Sequence, residues 1–342
     1  MFLRVFFIIF FGSLVFSTAA QITRFSFTES KMGAPFTIVF YSKDGAQAAS
    51  IAKRCFVLVD SFNFIFSDYI DSSELSNLSK SAGIKSIPVR LSPALYDILI
   101  QSKKAFELSE GAFDITMGPL SKLWRKARRQ HQFPTDSTVR STRNLIGFDK
   151  LIFDTLHKTV RLTQPGMQLD LGGIAQGYVA QKVIDFLLTQ GINHALVNAS
   201  GDIVVSGAPI DKEGWVVGVN LPEKTDELLN KKLSLKNRAV TTSGDAYQFI
   251  EKDGIRYSHI INPITGYGVT FQRNVTVIAA DGTTADWLAT ACSILSLKKA
   301  KKLSSILGAE VLITELKRGR LKLNSTRGFR FFWKQGEVEY LF

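Results

Sequence analysis

The chain has 342 residues, 45% of them hydrophobic and 21% charged, with a formal net charge of +12. That balance fits a folded protein with ample material for a core and excludes a disordered chain. Two cysteines, Cys55 and Cys292, exclude a disulfide-built scaffold, and four histidines without a cysteine cluster give no zinc signature.

The first twenty residues stand apart from the rest. Arg4 precedes an apolar run, Val5 to Phe16, which ends in Ser17-Thr18-Ala19-Ala20. A basic start, an apolar middle and a small-residue end make a secretory signal, expected to be cut near Ala20. Export is therefore expected, with residues 21–342 as one domain of two lobes. No cysteine follows the cut, which argues against a lipid anchor. Loss of Arg4 leaves the mature chain at about +11 (12 − 1). The basic excess gathers in Lys122 to Arg129, Lys298 to Lys302 and Lys317 to Lys322. None of these has interleaved aromatic platforms, so they read as solvated helical faces and no nucleic-acid partner is expected. A basic surface remains compatible with anionic ligands or association with a membrane surface.

In chain order, Ile22 to Phe27 and Phe36 to Tyr41 read as strands around a Met32-Gly33-Ala34-Pro35 turn. Gly45 to Phe64 has helical apolar spacing, with Cys55 in the stripe as a small hydrophobe; Cys292 reads the same way. Ser72 or Ser73 is placed to cap a short helix, and Ser92-Pro93 opens a helix that runs to Leu108. Helices are expected over Leu120 to Arg129 and within Pro134 to Ile146, then strands near Leu151 to Asp154 and from Val160 toward Leu169. Asp170-Leu171-Gly172-Gly173 follows as a tight turn into a helix from Ile174 to Leu188. Its glycines let backbone approach a ligand, and the helix start offers unpaired N–H groups that suit a phosphate. Asp170 is placed either to cap that helix or to face a ligand.

Further on, Ala195 to Asn198 and Ile203 to Ser206 are strands around Ser200-Gly201-Asp202, and Trp215 to Asn220 is another. Residues 222–232 are charged and loop-like. Ala239 to Thr241 leads into Ser243-Gly244-Asp245; Tyr247 to Ile250 and Arg256 to Ile261 make a hairpin; Asn262 to Gly266 is a turn. Asn274 to Ala279 is a strand, Thr283 to Leu295 and Leu297 to Leu307 are helices, and Glu310 to Thr314 and Gly328 to Trp333 close the chain as strands. Strands, hairpins and helices mix without regular βαβ alternation, which predicts an α+β fold with mixed sheets and flanking helices.

Residues capable of chemistry gather at turns: Asp114, Asp170, Ser200, Asp202, Thr241, Ser243, Asp245 and His259. Asp286 and Thr290, four apart on one helix, share a face. A carboxylate, a hydroxyl and a backbone carbonyl make a hard-oxygen site suited to Mg²⁺ or Ca²⁺; the plainer alternative is an Asp against the helix dipole and a Thr bonded back to a carbonyl. His259 reads as an acid or base, as a phosphate donor, or as a satisfied structural histidine.

These stretches together resemble the ApbE family, the FAD:protein FMN transferases. The matching pieces are Met32-Gly33, Phe66-Ser67 with Tyr69 to Leu75, Gly111 to Thr116, Gly118-Pro119-Leu120 to Trp124, and Asp170 to Tyr178. They continue with Asn198 to Ile203, Thr242 to Asp245, His259 to Gly266, and Ala285 to Thr290, in family order. The resemblance implies a two-lobed fold with a ligand cleft, FAD as the donor, and Mg²⁺ held by Asp286, Thr290 and the backbone carbonyl of Ala175. It implies adenine-side contacts from Met32, Tyr69, Ala112, Phe113 and Asp114. It further implies flavin or pyrophosphate contacts from Asp170, Gly173, Gln176, Ser243 and His259, with His259 and Asp170 in the chemistry. Gln176 stands where the family often has Lys, and Asn262 where it often has Asp. The implied acceptor is a redox flavoprotein subunit of quinone-reductase or Rnf-like type, and the implied location, which the signal fits, is the periplasm or the outer face of the inner membrane. Three activities follow as alternatives: transfer of FMN to a Thr or Ser hydroxyl with release of AMP, hydrolysis of FAD to FMN and AMP, or FAD binding without turnover.

Overall fold

The computed structural model describes residues 22–334 except 85–87, 221–228, 230, 245–247 and 318–319. The expected signal segment and Asp245 lie outside the described residues. Strands β1 (Thr23–Lys31) and β2 (Ala34–Ser42) form a hairpin whose turn is Met32-Gly33 alone, with φ of 52° and 80°. Two left-handed residues match the twist of a two-residue hairpin, so Ala34 and Pro35, expected in the turn, already belong to the strand. Helix α1 (Gly45–Phe66) follows, capped by Asp44; α2 (Glu74–Lys80) is capped by Ser73, and α3 (Pro93–Leu108), after the short β3 (Val89–Arg90), by Ser92. Helices α4 (Gly118–Gln130) and α5 (Asp136–Arg143) precede β4 (Leu151–Asp154) and β5 (Thr159–Leu162).

The expected strand from Val160 to Leu169 stops at Leu162. Pro165 and Gly166, the latter at φ 83°, break it. Irregular chain then leads to α6 (Ala175–Thr189), touching the start of α4 through a parallel bridge between Gln168 and Met117. The rest runs β6 (Ala195–Ala199), β7 (Asp202–Ser206), β8 (Trp215–Val217), β9 (Leu233–Leu235), β10 (Arg238–Ser243), β11 (Phe249–Lys252), β12 (Ile255–Ser258) and β13 (Arg273–Ala279). Helices α7 (Gly282–Ile294) and α8 (Leu297–Ile306) and strands β14 (Glu310–Lys317) and β15 (Arg320–Ser325) complete it.

An eight-stranded antiparallel sheet in the order β1-β2-β6-β7-β10-β13-β14-β15 forms the frame. The helices α1, α6 and α7 cover one face and close the main core, which holds both Cys55 and Cys292 as free, buried thiols. The other face carries the β8–β9 ribbon, with Trp215 and Phe329 among its buried side chains. A third cluster, around Trp124, Leu120 and Val139, joins α4 and α5 to the β11–β12 region. The α+β class is as expected, but the sheets, expected to be mixed, pair antiparallel throughout the described strands, because hairpins and not βαβ crossovers supply most neighbours. One closing strand is corrected: 328–333 lies in a 3₁₀ turn, Arg327–Phe332, that buries Phe329, while Phe331 is left 74% exposed. Its aromatic composition gives it strand character, but the edge strand that exists is β15, whose Leu321 and Leu323 are exposed on either side of Lys322.

Candidate functional site

Helices α6 and α7 cross where both carry glycine. A Cβ on Gly177 would overlap the Gly282 carbonyl oxygen and stand 2.7 Å from Asp286 Cβ; one on Gly282 would overlap the Gly177 carbonyl oxygen. Only bare backbones can meet this closely. The crossing sets the first turn of α6 against Asp286, whose Oδ2 accepts the Gly177 N–H at 3.0 Å. Thr290, one turn along α7, lies beside the glycine turn, since a Cβ on Gly173 would come within 2.9 Å of its hydroxyl. These groups line a cavity of about 360 Å³ between the main sheet and the α4 cluster. Asp170, Gln176, Ser243, His259, Tyr69 and the Ala112-Phe113-Asp114 segment line it too, so the cavity unites most of the expected site residues.

Two expected residues are not in its lining. Met32 sits at the β1–β2 turn, half-buried against the main core. Ala175 is buried in that core, two residues before the N–H that binds Asp286.

At one end of the cavity the charges are paired. The guanidinium of Arg125 bridges Asp68 and Asp170, 2.9 Å from Asp170 Oδ2, and lies 4.4 Å from the centre of the Tyr69 ring. Burial works against the Arg125 charge, but Asp170 and Asp68 more than offset it and raise its pKa. Asp170 does not cap α6. Its Oδ1 accepts the Gly172 N–H at 2.8 Å, which folds the glycine turn back on itself. Tyr69 remains 77% exposed, so its other face is open to a flat ligand. Arg125 and Arg128, read from the sequence as part of a solvated face, both line the cavity; α4 turns them inward as it buries Trp124 and Ala127. They supply positive charge to the cavity that Gln176 also lines.

At the other end the carboxylates have no ion-pair partner among the described residues. Asp286 is 5% exposed and Asp202, the first residue of β7, is 7% exposed. Burial pushes the Asp202 carboxyl up to about 6, with the Thr241 hydroxyl pulling the other way. Burial, then the charge of Asp202, raises Asp286 well above the carboxylate range against the Gly177 N–H. Asp202 Oδ1 has no hydrogen-bond partner among the described residues. Asp202 is the residue that sequence reasoning noted at a turn and left out of the site. Its signals in the sequence were the Ser200-Gly201 turn just before it and its place in the Asn198 to Ile203 stretch.

Burial also lifts Asp114 to about 6, although Thr116 donates to it from its backbone N–H at 2.8 Å and its hydroxyl at 2.7 Å. His259 follows the end of β12. Burial, then the charge of Arg128, lowers it to about 4, and its Nδ1 has no partner among the described residues. The imidazole is therefore neutral at neutral pH.

The magnesium ion implied by the resemblance meets a donor set that fits it. Two buried carboxylates that repel each other, one with an oxygen unpartnered among the described residues, and a hydroxyl beside them are hard-oxygen donors whose charge a divalent cation would offset.

The ApbE family model matches residues 32–313. A FAD:protein FMN transferase of Klebsiella pneumoniae is 32% identical over 263 residues, 77% of this chain and 79% of that one. Another, of Treponema pallidum, is 31% identical over 296 residues, 82% and 81% of the two chains. Among solved structures, the flavin transferase ApbE of Vibrio cholerae superposes with a TM-score of 0.81 at 26% identity, covering 91% of this chain and 100% of that one. The ApbE protein of Thermotoga maritima gives 0.81 at 27%, covering 92% and 100%.

Proposed function

The chain belongs to the ApbE family, and on that premise we propose that it is a FAD:protein FMN transferase working outside the cytoplasm. In the proposed reaction a Thr or Ser hydroxyl of an acceptor flavoprotein attacks the phosphorus on the FMN side of FAD. The P–O–P bond breaks, AMP leaves with the bridging oxygen, and the hydroxyl proton passes to the enzyme or to water. The observation that carries this reading is one cavity joining the Tyr69–Arg125 stack, the Gly172-Gly173 turn and the buried Asp202–Asp286 pair.

The open face of Tyr69 suits the adenine. Arg125 and Arg128 supply the charge that holds a pyrophosphate, and the glycine turn lets its oxygens approach the start of α6. Asp170 fixes both Arg125 and that turn, so its part is positioning. His259, neutral and with Nδ1 unpartnered among the described residues, would take a hydrogen bond from the attacking hydroxyl, and a neighbouring pyrophosphate would raise its basicity by favouring the imidazolium. Mg²⁺ would be held by Asp286, Thr290 and the Ala175 carbonyl. When bound it would neutralise charge on the pyrophosphate and the departing AMP. Residues 21–342 act as one transferase domain in this reading, and the acceptor is a membrane-associated redox subunit of quinone-reductase or Rnf-like type, reached after export and cleavage near Ala20.

The test is mass spectrometry of a candidate acceptor domain incubated with the mature protein, FAD and Mg²⁺. A phosphoester-linked FMN on a Thr or Ser, with AMP released, is the expected result. Free FMN and AMP with an unmodified acceptor would make the protein a hydrolase, and intact FAD would leave it a binding protein.

A further inference from the structure

Helix α7 lies directly on the sheet. Gly282, the first residue of α7, sits on β7 so closely that a Cβ there would be 2.7 Å from Val204 Cγ2. One helical turn on from Gly282 is Asp286. Two residues back along β7 from Val204, on the same face of the strand, is Asp202. The packing of helix on strand therefore carries both carboxylates to the same wall of the cavity, where both are in its lining.

Asp202 is more than nine-tenths buried, and its Oδ1 has no hydrogen-bond partner among the described residues. Asp286, by contrast, already gives one oxygen to the Gly177 N–H. Salt bridges account for Asp68 and Asp170. Asp202 has no such partner among the ion pairs of the described residues. A buried carboxylate left in this state calls for a proton or a cation.

We propose that Asp202 is a second carboxylate of the divalent-cation site, presenting Oδ1 to the ion that Asp286 and Thr290 hold. This deepens the transferase reading and rests on it, because that reading is what puts a divalent ion in the cavity. A second carboxylate compensates for the oxygen of Asp286 that the α6 backbone occupies. The Ser200-Gly201 turn fixes where β7 begins, with Asn198 Oδ1 accepting the Gly201 N–H at 2.8 Å, and so fixes the depth of Asp202 in the cavity.

The experiment is calorimetric titration of the FAD-loaded protein with Mg²⁺, and of the FAD-free protein with Mn²⁺, for wild type and Asp202→Asn. The substitution should weaken both ions at least tenfold while circular dichroism shows the fold retained. In the unsubstituted protein, substoichiometric Mn²⁺ should broaden the Asp202 side-chain carboxyl ¹³C signal together with that of Asp286. That readout needs no folded variant. Affinities within twofold of wild type, or an Asp202 signal that stays sharp while Asp286 broadens, would overturn the proposal and leave the pair sharing a proton. Failure of the transferase reading looks different: wild type itself would give neither Mg²⁺ binding nor an FMN-modified acceptor.

Discussion

Gly177→Ala tests the helix crossing on which the site is built. The added Cβ would meet the Gly282 carbonyl, which is backbone, and Asp286 Cβ at 2.7 Å. Ordinary carbon–carbon contact requires roughly 1 Å more, so α6 and α7 must move apart by about that much. Alanine gains about 1 kcal/mol of helix propensity. Overpacking costs about 1–3 kcal/mol or more, and straining a charge-assisted hydrogen bond at Asp286 adds up to about 2 kcal/mol. The balance is a loss of about 2–3 kcal/mol, or several degrees in the melting temperature. The functional effect should exceed the stability effect, because a displacement of about 1 Å at a catalytic group can cost on the order of 100-fold in rate. Urea denaturation and a Mg²⁺ titration of transfer rate measure the two. Gly45→Ala is the control: a Cβ there meets only Phe25, at 3.4 Å, and the change should be neutral or mildly stabilising. A Gly177→Ala protein as stable as wild type and with the same Mg²⁺ dependence would refute the reasoning.

Tyr69→Ala should weaken FAD by about 1–3 kcal/mol, the usual range for base stacking, and leave FMN unchanged in fluorescence titrations; equal losses would remove Tyr69 from the adenine. Asp286→Ala should abolish most transfer and sharply raise the Mg²⁺ requirement, with Thr290→Val losing less because a neutral ligand contributes less than a carboxylate; unchanged Mg²⁺ curves would move the metal elsewhere. His259, lowered to about 4 by burial and by Arg128, should titrate near there by NMR in the free protein and higher with FAD bound. Because its folded pKa lies below the unfolded value, stability should fall as pH drops from about 6.5 toward 4, and an imidazole titrating near 6.5 in the free protein would contradict this.

Much of the frame was readable from local pattern. Ser73 and Ser92 cap the helices that they precede, and Met32-Gly33 turns the first hairpin. Asp286 and Thr290 share a helix face because four residues make about one turn, and both reach the cavity. The misses have a common cause, which is that burial depends on partners distant in sequence. Arg125 and Arg128 sit in a basic run that reads as solvated, yet Asp68 and Asp170, from other segments, draw Arg125 inward. Asp202 looks like any acid beside a tight turn until α7 covers the strand that it begins. The strand-like aromatic run at 328–333 turns into a 3₁₀ segment because Phe329 has a place in the core and Phe331 has none.

The same packing divides the cavity electrically. Near Tyr69, Arg125 is shared by Asp68 and Asp170, and Arg128, with no acid among its described ion pairs, adds the cation that balances the second carboxylate. At the α6–α7 crossing, Asp202 and Asp286 are buried with their negative charge uncompensated by any described ion pair. A dinucleotide pyrophosphate can pair with Arg128 at the first end and is repelled by the second unless a cation intervenes. The protein's own charges can therefore hold the AMP half of FAD without metal, whereas settling the phosphates over the carboxylates requires a divalent ion. On this reasoning FAD should bind the metal-free protein measurably but shallowly, and Mg²⁺ and FAD should each tighten the other by the same factor, as linkage demands. Titrating FAD with and without Mg²⁺, and Mg²⁺ with and without FAD, closes that cycle. If Mg²⁺ leaves FAD affinity unchanged, the two ends of the cavity are not joined through the pyrophosphate.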